Sequence, residues 1–148
     1  MFKSILVLCV GNICRSPMAE YMLREAVERR DLELSVASAG LGALVNKPAD
    51  PHAINVAQQH GLDITPHRAR QLTEQHLKDH ELILVMESWQ QKELELRYPF
   101  IRGRVHLLGK WNKKQIKDPY QKPIEAFEMA YMDIEACIGL WCEKIWPK

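Results

Sequence analysis

Ile5-Leu6-Val7-Leu8-Cys9-Val10-Gly11-Asn12-Ile13-Cys14-Arg15-Ser16-Pro17 is the stretch that decides the fold of this chain. The segment Lys3 to Cys9 reads as a strand, because its run from Ile5 onward is apolar without alternation, as burial on both faces of a parallel sheet requires. Ser16 suits an N-cap and Pro17 the first helical position, where a missing N–H costs nothing, so a helix is expected from Pro17 to Arg30. Val10 to Ser16 then form a tight loop ending on a helix N-terminus, where unpaired N–H donors and the helix dipole attract anions. Cys9 opens the loop and Arg15 closes it, with five residues between them. A thiolate and a forked guanidinium so placed address one tetrahedral oxyanion from different sides, which suits catalysis rather than adhesion alone.

The rest of the chain repeats the strand-to-helix change of period. Leu34 to Ser38, Leu82 to Met86 and Arg104 to Leu108 read as three further strands. In the first helix Met18, Tyr21, Met22 and Ala26 form the apolar stripe, while Glu20, Arg24, Glu28 and Arg29 are expected to face water. Asp50-Pro51 begins a second helix that Gly61 ends, and Ser88-x-x-Gln91 has the spacing of a capping box opening another. From Pro123 a long helix carries Phe127, Ala130, Tyr131, Ile134, Cys137, Ile138, Trp141 and Ile145 at the 3.6-residue period of a core-facing stripe. Strands alternating with helices predict an α/β fold, a four-stranded parallel sheet joined by right-handed crossovers and flanked by helices. Ligands in such sheets bind at the carboxyl ends of the strands, where the Cys9 loop sits. Gly40-x-Gly42 lacks the third glycine of a dinucleotide fingerprint and follows the wrong strand.

The 148 residues suffice for a single domain spanning 1–148, and 20 basic against 19 acidic side chains leave a net charge of +1. That balance gives no reason to expect a nucleic-acid partner or membrane insertion. The N-terminal apolar run is too short for a signal peptide or a span, so a cytoplasmic location is expected. Four cysteines, Cys9, Cys14, Cys137 and Cys142, are too few and too clustered for a disulfide scaffold, and C-x4-C is not a common zinc spacing. No metal and no cofactor is expected. Lys110, Lys113, Lys114 and Lys117 read first as a solvated face, with steering of anionic peptides as the alternative.

With Ser38-Ala39-Gly40, His67-Arg68-Ala69-Arg70-Gln71 and Asp118-Pro119-Tyr120 added to the opening motif, the chain resembles the low-molecular-weight protein tyrosine phosphatases over essentially its whole length. Met1 to Pro17 and Leu41-Gly42-Ala43-Leu44 resemble the Wzb-type subgroup of bacterial exopolysaccharide systems most. The resemblance implies a flavodoxin-like fold, no metal, and hydrolysis of phosphotyrosine through a cysteinyl-phosphate intermediate. It implies Cys9 as nucleophile, Arg15 as phosphate clamp and Asp118 as proton donor to the leaving oxygen. Val10, Gly11, Asn12, Ile13, Cys14 and Ser16 would form the phosphate-binding loop, Ser38 and His67 would support it, and Leu44 and Tyr120 would hold the substrate ring. The implied partner is a phosphotyrosine-containing protein, a membrane-anchored autophosphorylating tyrosine kinase whose dephosphorylation controls capsule or exopolysaccharide export. One departure is Tyr120-Gln121, where many relatives carry two tyrosines, so this loop supplies one aromatic wall. Cys14 is either a redox partner of Cys9 or a second buried thiol. Two other readings stay open: an arsenate reductase on the same fold, and a non-catalytic phosphotyrosine-binding module.

Overall fold

A strand of six residues with every side chain from Ile5 to Cys9 buried runs through the middle of the molecule. In the computed structural model, which describes residues 2–147, it is β1 (Ser4–Cys9), followed by α1 (Arg15–Arg29), β2 (Ser35–Gly40), α2 (Pro51–Gln59) and α3 (Glu74–Asp79). The chain continues through β3 (Leu82–Val85), α4 (Ser88–Arg97), a 3-10 turn (Pro99–Ile101), β4 (Val105–Leu107) and α5 (Ile124–Ile145). All strand pairings are parallel and the order is β2-β1-β3-β4. This is the doubly wound arrangement of flavodoxin-like folds, as expected. The order reverses at β1: its crossover through α1 leads to β2 on one side, and β3 pairs on the other. A crevice opens where the order reverses, at the carboxyl end of β1, beyond Cys9.

Strand alternation divides the core in two. Ile5, Val7 and Cys9 join the cluster under α1, α2 and α5, while Leu6 and Leu8 join the one under α3 and α4. Burial on both faces is why β1 shows no polar alternation. The C-terminal stripe packs as its period predicts, with seven of its eight residues buried and Ile145 packed at the margin. Among the described residues, no helix is long and apolar enough to cross a membrane.

Three local expectations are corrected, and one short helix is added. Ser16 is not the N-cap of α1; Cys14 is, without a side-chain capping bond, and Ser16 already lies inside the first turn with its hydroxyl committed elsewhere. Glu20 does not face water but is 4 % exposed, because β2 and the 65–71 connection bring polar groups over this part of α1. The capping arrangement at α4 is shifted by one residue. Glu87 is the N-cap and the Gln90 amide oxygen accepts from the Met86 and Glu87 N–H groups, whereas Ser88 bonds Gln115. Finally, α3 was not expected; Thr73 Oγ1 accepts from the His76 N–H, and His76 Nδ1 accepts from the Thr73 N–H.

Gly40 ends β2 directly against the loop that follows β1. A Cβ there would lie 2.5 Å from the Val10 carbonyl oxygen and 3.1 Å from the Asn12 Cβ. Gly40→Ala should therefore cost about 1–3 kcal/mol of stability, the usual range for overpacking a filled site. Because the clash falls on the Val10 backbone, catalytic efficiency should fall with it. A denaturation midpoint and activity equal to the parent's would refute this account of the contact.

Candidate active site

The loop from Val10 to Cys14 is turned inside out relative to its surroundings. The carbonyls of Cys9, Val10, Gly11 and Ile13 accept from the N–H groups of Leu41, Gly42, Leu44 and Asp50 at 2.8–3.1 Å. The Asn12 carbonyl accepts from His67 Nε2 at 2.7 Å. With its carbonyls drawn outward, the loop turns its N–H groups the other way, and among the described residues none of those from Val10 to Cys14 has a protein acceptor. Asn12 supplies the bend with φ at 58°, a left-handed conformation that asparagine tolerates better than most residues. Consecutive N–H groups converging in this way form a nest for an anion.

Behind the loop a chain of side-chain hydrogen bonds leads to the Cys9 sulfur, and its direction follows from the donor inventory. The Asn12 amide nitrogen, a pure donor, gives one hydrogen to Ser16 Oγ at 2.7 Å and one to Ser38 Oγ at 2.9 Å. Ser38 passes its own hydrogen to Glu20, whose carboxylate also pairs with Arg24. Ser16 has one hydrogen left, and its neighbour is Cys9 Sγ at 2.9 Å. The Ser16 N–H reaches the same sulfur at 3.4 Å. The chain thus delivers donors to Cys9, which suits a sulfur anion. Asn12 Oδ1 is held by the Arg70 N–H at 2.9 Å, so every polar group of this fully buried side chain is satisfied. Burial holds the His67 imidazole below its usual pKa, against the opposing pull of the Asn12 carbonyl and Glu20. A neutral ring donating through Nε2 fits that environment.

Arg15 is 1 % exposed, a charge buried deeply enough to need a partner. Its Nη1 donates to Glu87 Oε2 at 2.8 Å and to the Ile116 carbonyl at 2.7 Å, while Trp89 Nε1 steadies the same Glu87 oxygen at 3.2 Å. Nη2 lies 3.7 Å from Asp118 Oδ2, and Nε is buried without a hydrogen bond. The edge of the guanidinium formed by Nε and Nη2 is thereby left for a planar, two-point contact with an oxyanion. Ile116 also donates its N–H to the Met86 carbonyl at 3.0 Å, which pins the segment two residues before Asp118. Asp118 itself is partly exposed and accepts from the Tyr120 N–H at 3.1 Å.

One pocket gathers these elements. Cys9, Val10, Gly11, Ile13, Cys14 and Arg15 line its base, and Gly42, Leu44, Asp118 and Tyr120 its mouth. Leu44 and Tyr120, each 41 % exposed, stand at the rim. Asn12, Ser16, Ser38 and His67 lie behind the loop and shape it rather than line the pocket. Burial, reinforced by the neighbouring Cys9, Asp50 and Asp118, pushes the Cys14 thiol far above its usual range, so it stays protonated at neutral pH. Cys137 and Cys142 are buried on α5 and line none of this pocket, so the outward disulfide relay of an arsenate reductase has no third cysteine here. Glu20, Glu87, Arg70 and Gly42 are the site residues that the sequence reading did not single out. Gly42 and Arg70 stood inside motifs quoted for the resemblance without a role of their own, and nothing in the sequence marked Glu20 or Glu87.

Residues 4–148 match the low molecular weight phosphotyrosine protein phosphatase family, and the chain belongs to it. It is a protein-tyrosine phosphatase, a hydrolase of phosphoric monoesters. It is 47% identical to the probable low molecular weight protein-tyrosine-phosphatase EpsP of Ralstonia solanacearum over 145 residues, 98% of this chain and 97% of that protein. The crystal structure of the tyrosine phosphatase Wzb from Escherichia coli K30 in complex with sulphate matches with a TM-score of 0.92 and 40% identity, covering 98% of this chain and 99% of that one. Vibrio vulnificus Wzb in complex with benzylphosphonate matches with a TM-score of 0.91 and 40% identity, covering 98% and 100%.

Proposed function

We propose that the chain hydrolyses protein phosphotyrosine by two in-line displacements at phosphorus, with Cys9 as nucleophile, Arg15 as clamp and Asp118 as acid and then base. The observation that carries this reading is the pair of donors on the Cys9 sulfur, at the base of a loop whose inward N–H groups have no protein acceptor. In the first step the sulfur–phosphorus bond forms as the phosphorus–oxygen bond to the tyrosine ring breaks, and Asp118 gives its proton to the departing oxygen. In the second, Asp118 takes a proton from water, the water oxygen bonds phosphorus, and the thiolate leaves. The loop amides and the free edge of Arg15 hold the equatorial oxygens while charge redistributes over them. Leu44 and Tyr120, which line the mouth of the pocket, receive the ring.

Similarity to Wzb and EpsP supports a narrower substrate: the phosphorylated tyrosines of a membrane-anchored autophosphorylating bacterial kinase that controls capsule or exopolysaccharide export. That reading places the enzyme in the cytoplasm, where such a kinase presents its tail.

Asp118→Asn tests the acid role. The first step requires Cys9 ionised and Asp118 protonated, so kcat/KM rises and then falls with pH. The variant should lose about 10²–10⁴-fold in kcat, the usual contribution of a general acid, and should lose the alkaline limb of the profile. The loss should be larger for phenyl phosphate than for p-nitrophenyl phosphate, whose leaving oxygen has less need of a proton. An equal loss on both substrates with the alkaline limb intact would assign the proton donor elsewhere.

A further inference from the structure

Asp118 lines two depressions, the reaction pocket and a larger groove beside it, about 310 Å³ against about 110 Å³. The groove has walls of Lys113, Lys114, Lys117 and Lys122 and a floor that includes Ala126 and the exposed Met129. Its carboxylates are Asp118 and Asp133, and Asp133 is engaged by Lys114 at 3.5 Å. Among the described residues, Lys113, Lys117 and Lys122 have no carboxylate within 4.0 Å. Lys113 also lines the next depression, beside Lys110, so the basic path continues away from the pocket. In a chain whose net charge is +1, three uncompensated cations in one groove are a local concentration of charge.

We infer that this groove is a substrate subsite that takes acidic side chains of the polypeptide flanking the phosphotyrosine. The inference rests on the proposed reaction, because Asp118 marks the side from which the tyrosine oxygen departs. Asp118 is shared by the pocket and the groove, so the groove is open to a peptide whose ring stands between Leu44 and Tyr120. The loop that carries them is braced: Gln115 Oε1 accepts from Ser88 N–H at 2.8 Å, and Lys114 N–H reaches the Gly109 carbonyl at 2.9 Å. The cations are therefore presented on an ordered wall. Carboxylates separated by one or two residues from the phosphotyrosine have the charge and reach to meet Lys117 and Lys122, and an apolar neighbour has Met129 and Ala126 to cover.

The test compares kcat/KM at low ionic strength for two phosphotyrosyl peptides, identical except that Asp and Glu flanks are replaced by Asn and Gln, with p-nitrophenyl phosphate as the flank-free reference. The wild type should prefer the acidic peptide about tenfold, chiefly through KM, and added salt should erode the preference because exposed charges are screened. In the variant carrying Lys113→Gln, Lys117→Gln and Lys122→Gln the preference should fall below about twofold, and the corresponding Arg substitutions should restore it. No preference in the wild type, or one that survives neutralisation, would overturn the subsite. A peptide with phosphoserine in place of the flanking acid should be preferred at least as strongly; indifference to it would also count against the subsite. Binding of the same peptides to Cys9→Ser reads the preference without turnover. Failure of the catalytic reading, seen as no hydrolysis of p-nitrophenyl phosphate, is thus separable from failure of the subsite.

Discussion

Cys9→Ser should abolish turnover, lowering kcat by about 10⁴–10⁶-fold, the scale seen when an enzyme loses its nucleophile. The serine oxygen would occupy the same place, 2 % exposed at the end of β1, and meet the same donors from Ser16. Those donors are the reason it fails. They favour an anion at that position, and an alcohol at neutral pH cannot supply one without a base to take its proton. In the proposed reaction Asp118, the carboxylate in the pocket, is needed protonated for the leaving oxygen. The loop amides and Arg15 are untouched by the substitution, so phosphate or benzylphosphonate should bind with affinity within a few-fold of the parent's. Acid quenching during turnover should trap phosphate on the parent and none on the variant. Retention of more than about one hundredth of the parent activity would move the nucleophile away from Cys9.

The sequence announced β1, the tight loop after it and α5 because each is encoded locally: an unbroken apolar run, a Cys-to-Arg spacing, a 3.6-residue stripe. What it misassigned depends on contacts between segments distant in the chain. Glu20 sits at a position that helical spacing alone gives to solvent, and only the end of β2 reveals otherwise, because Ser38 arrives there with a hydroxyl to donate. Ser16 satisfies every local rule for an N-cap, yet its hydroxyl is drawn to Cys9 and Asn12, so the helix starts at Arg15 instead. Helix α3 spans only six residues, too few to show a period, and its cap uses histidine where the familiar box has Glu or Gln. The resemblance named Asp118, but composition and spacing did not. An Asp-Pro pair after lysines reads as a turn until Ile116 is seen pinned by Met86 and Arg15.

The same long-range contacts explain why the loop holds a shape that is costly for an isolated peptide. Five N–H groups turned toward one point repel one another and a left-handed Asn12 adds strain, so the conformation needs outside support. That support comes from the 41–50 segment on the carbonyls, from His67 and Arg70 on Asn12, and from Ser38 through the Asn12 amide. Preorganisation of this kind removes the reorganisation that solvent dipoles would require when charge shifts in the transition state.

Arg15→Lys carries the second large effect, and it separates charge from geometry. Lysine keeps the positive charge at the base of the pocket but has one nitrogen where the guanidinium has three. Nη1 of Arg15 is already bound to Glu87 and the Ile116 carbonyl, and the free edge formed by Nε and Nη2 is what faces the pocket. A single ammonium must either stay with Glu87 or turn to the phosphoryl oxygens. In the proposed reaction either choice loses the two-point contact that follows the equatorial oxygens through the transition state, so kcat should fall by about 10³–10⁵-fold, the range associated with arginine at transferring phosphoryl groups. KM should change far less, because the loop amides still bind the ground state. Stability should fall by about 1–3 kcal/mol, since the Ile116 carbonyl loses its donor in a buried position. If kcat of the lysine variant stays within tenfold of the parent's, charge alone suffices and the planar fork has no special part in the reaction.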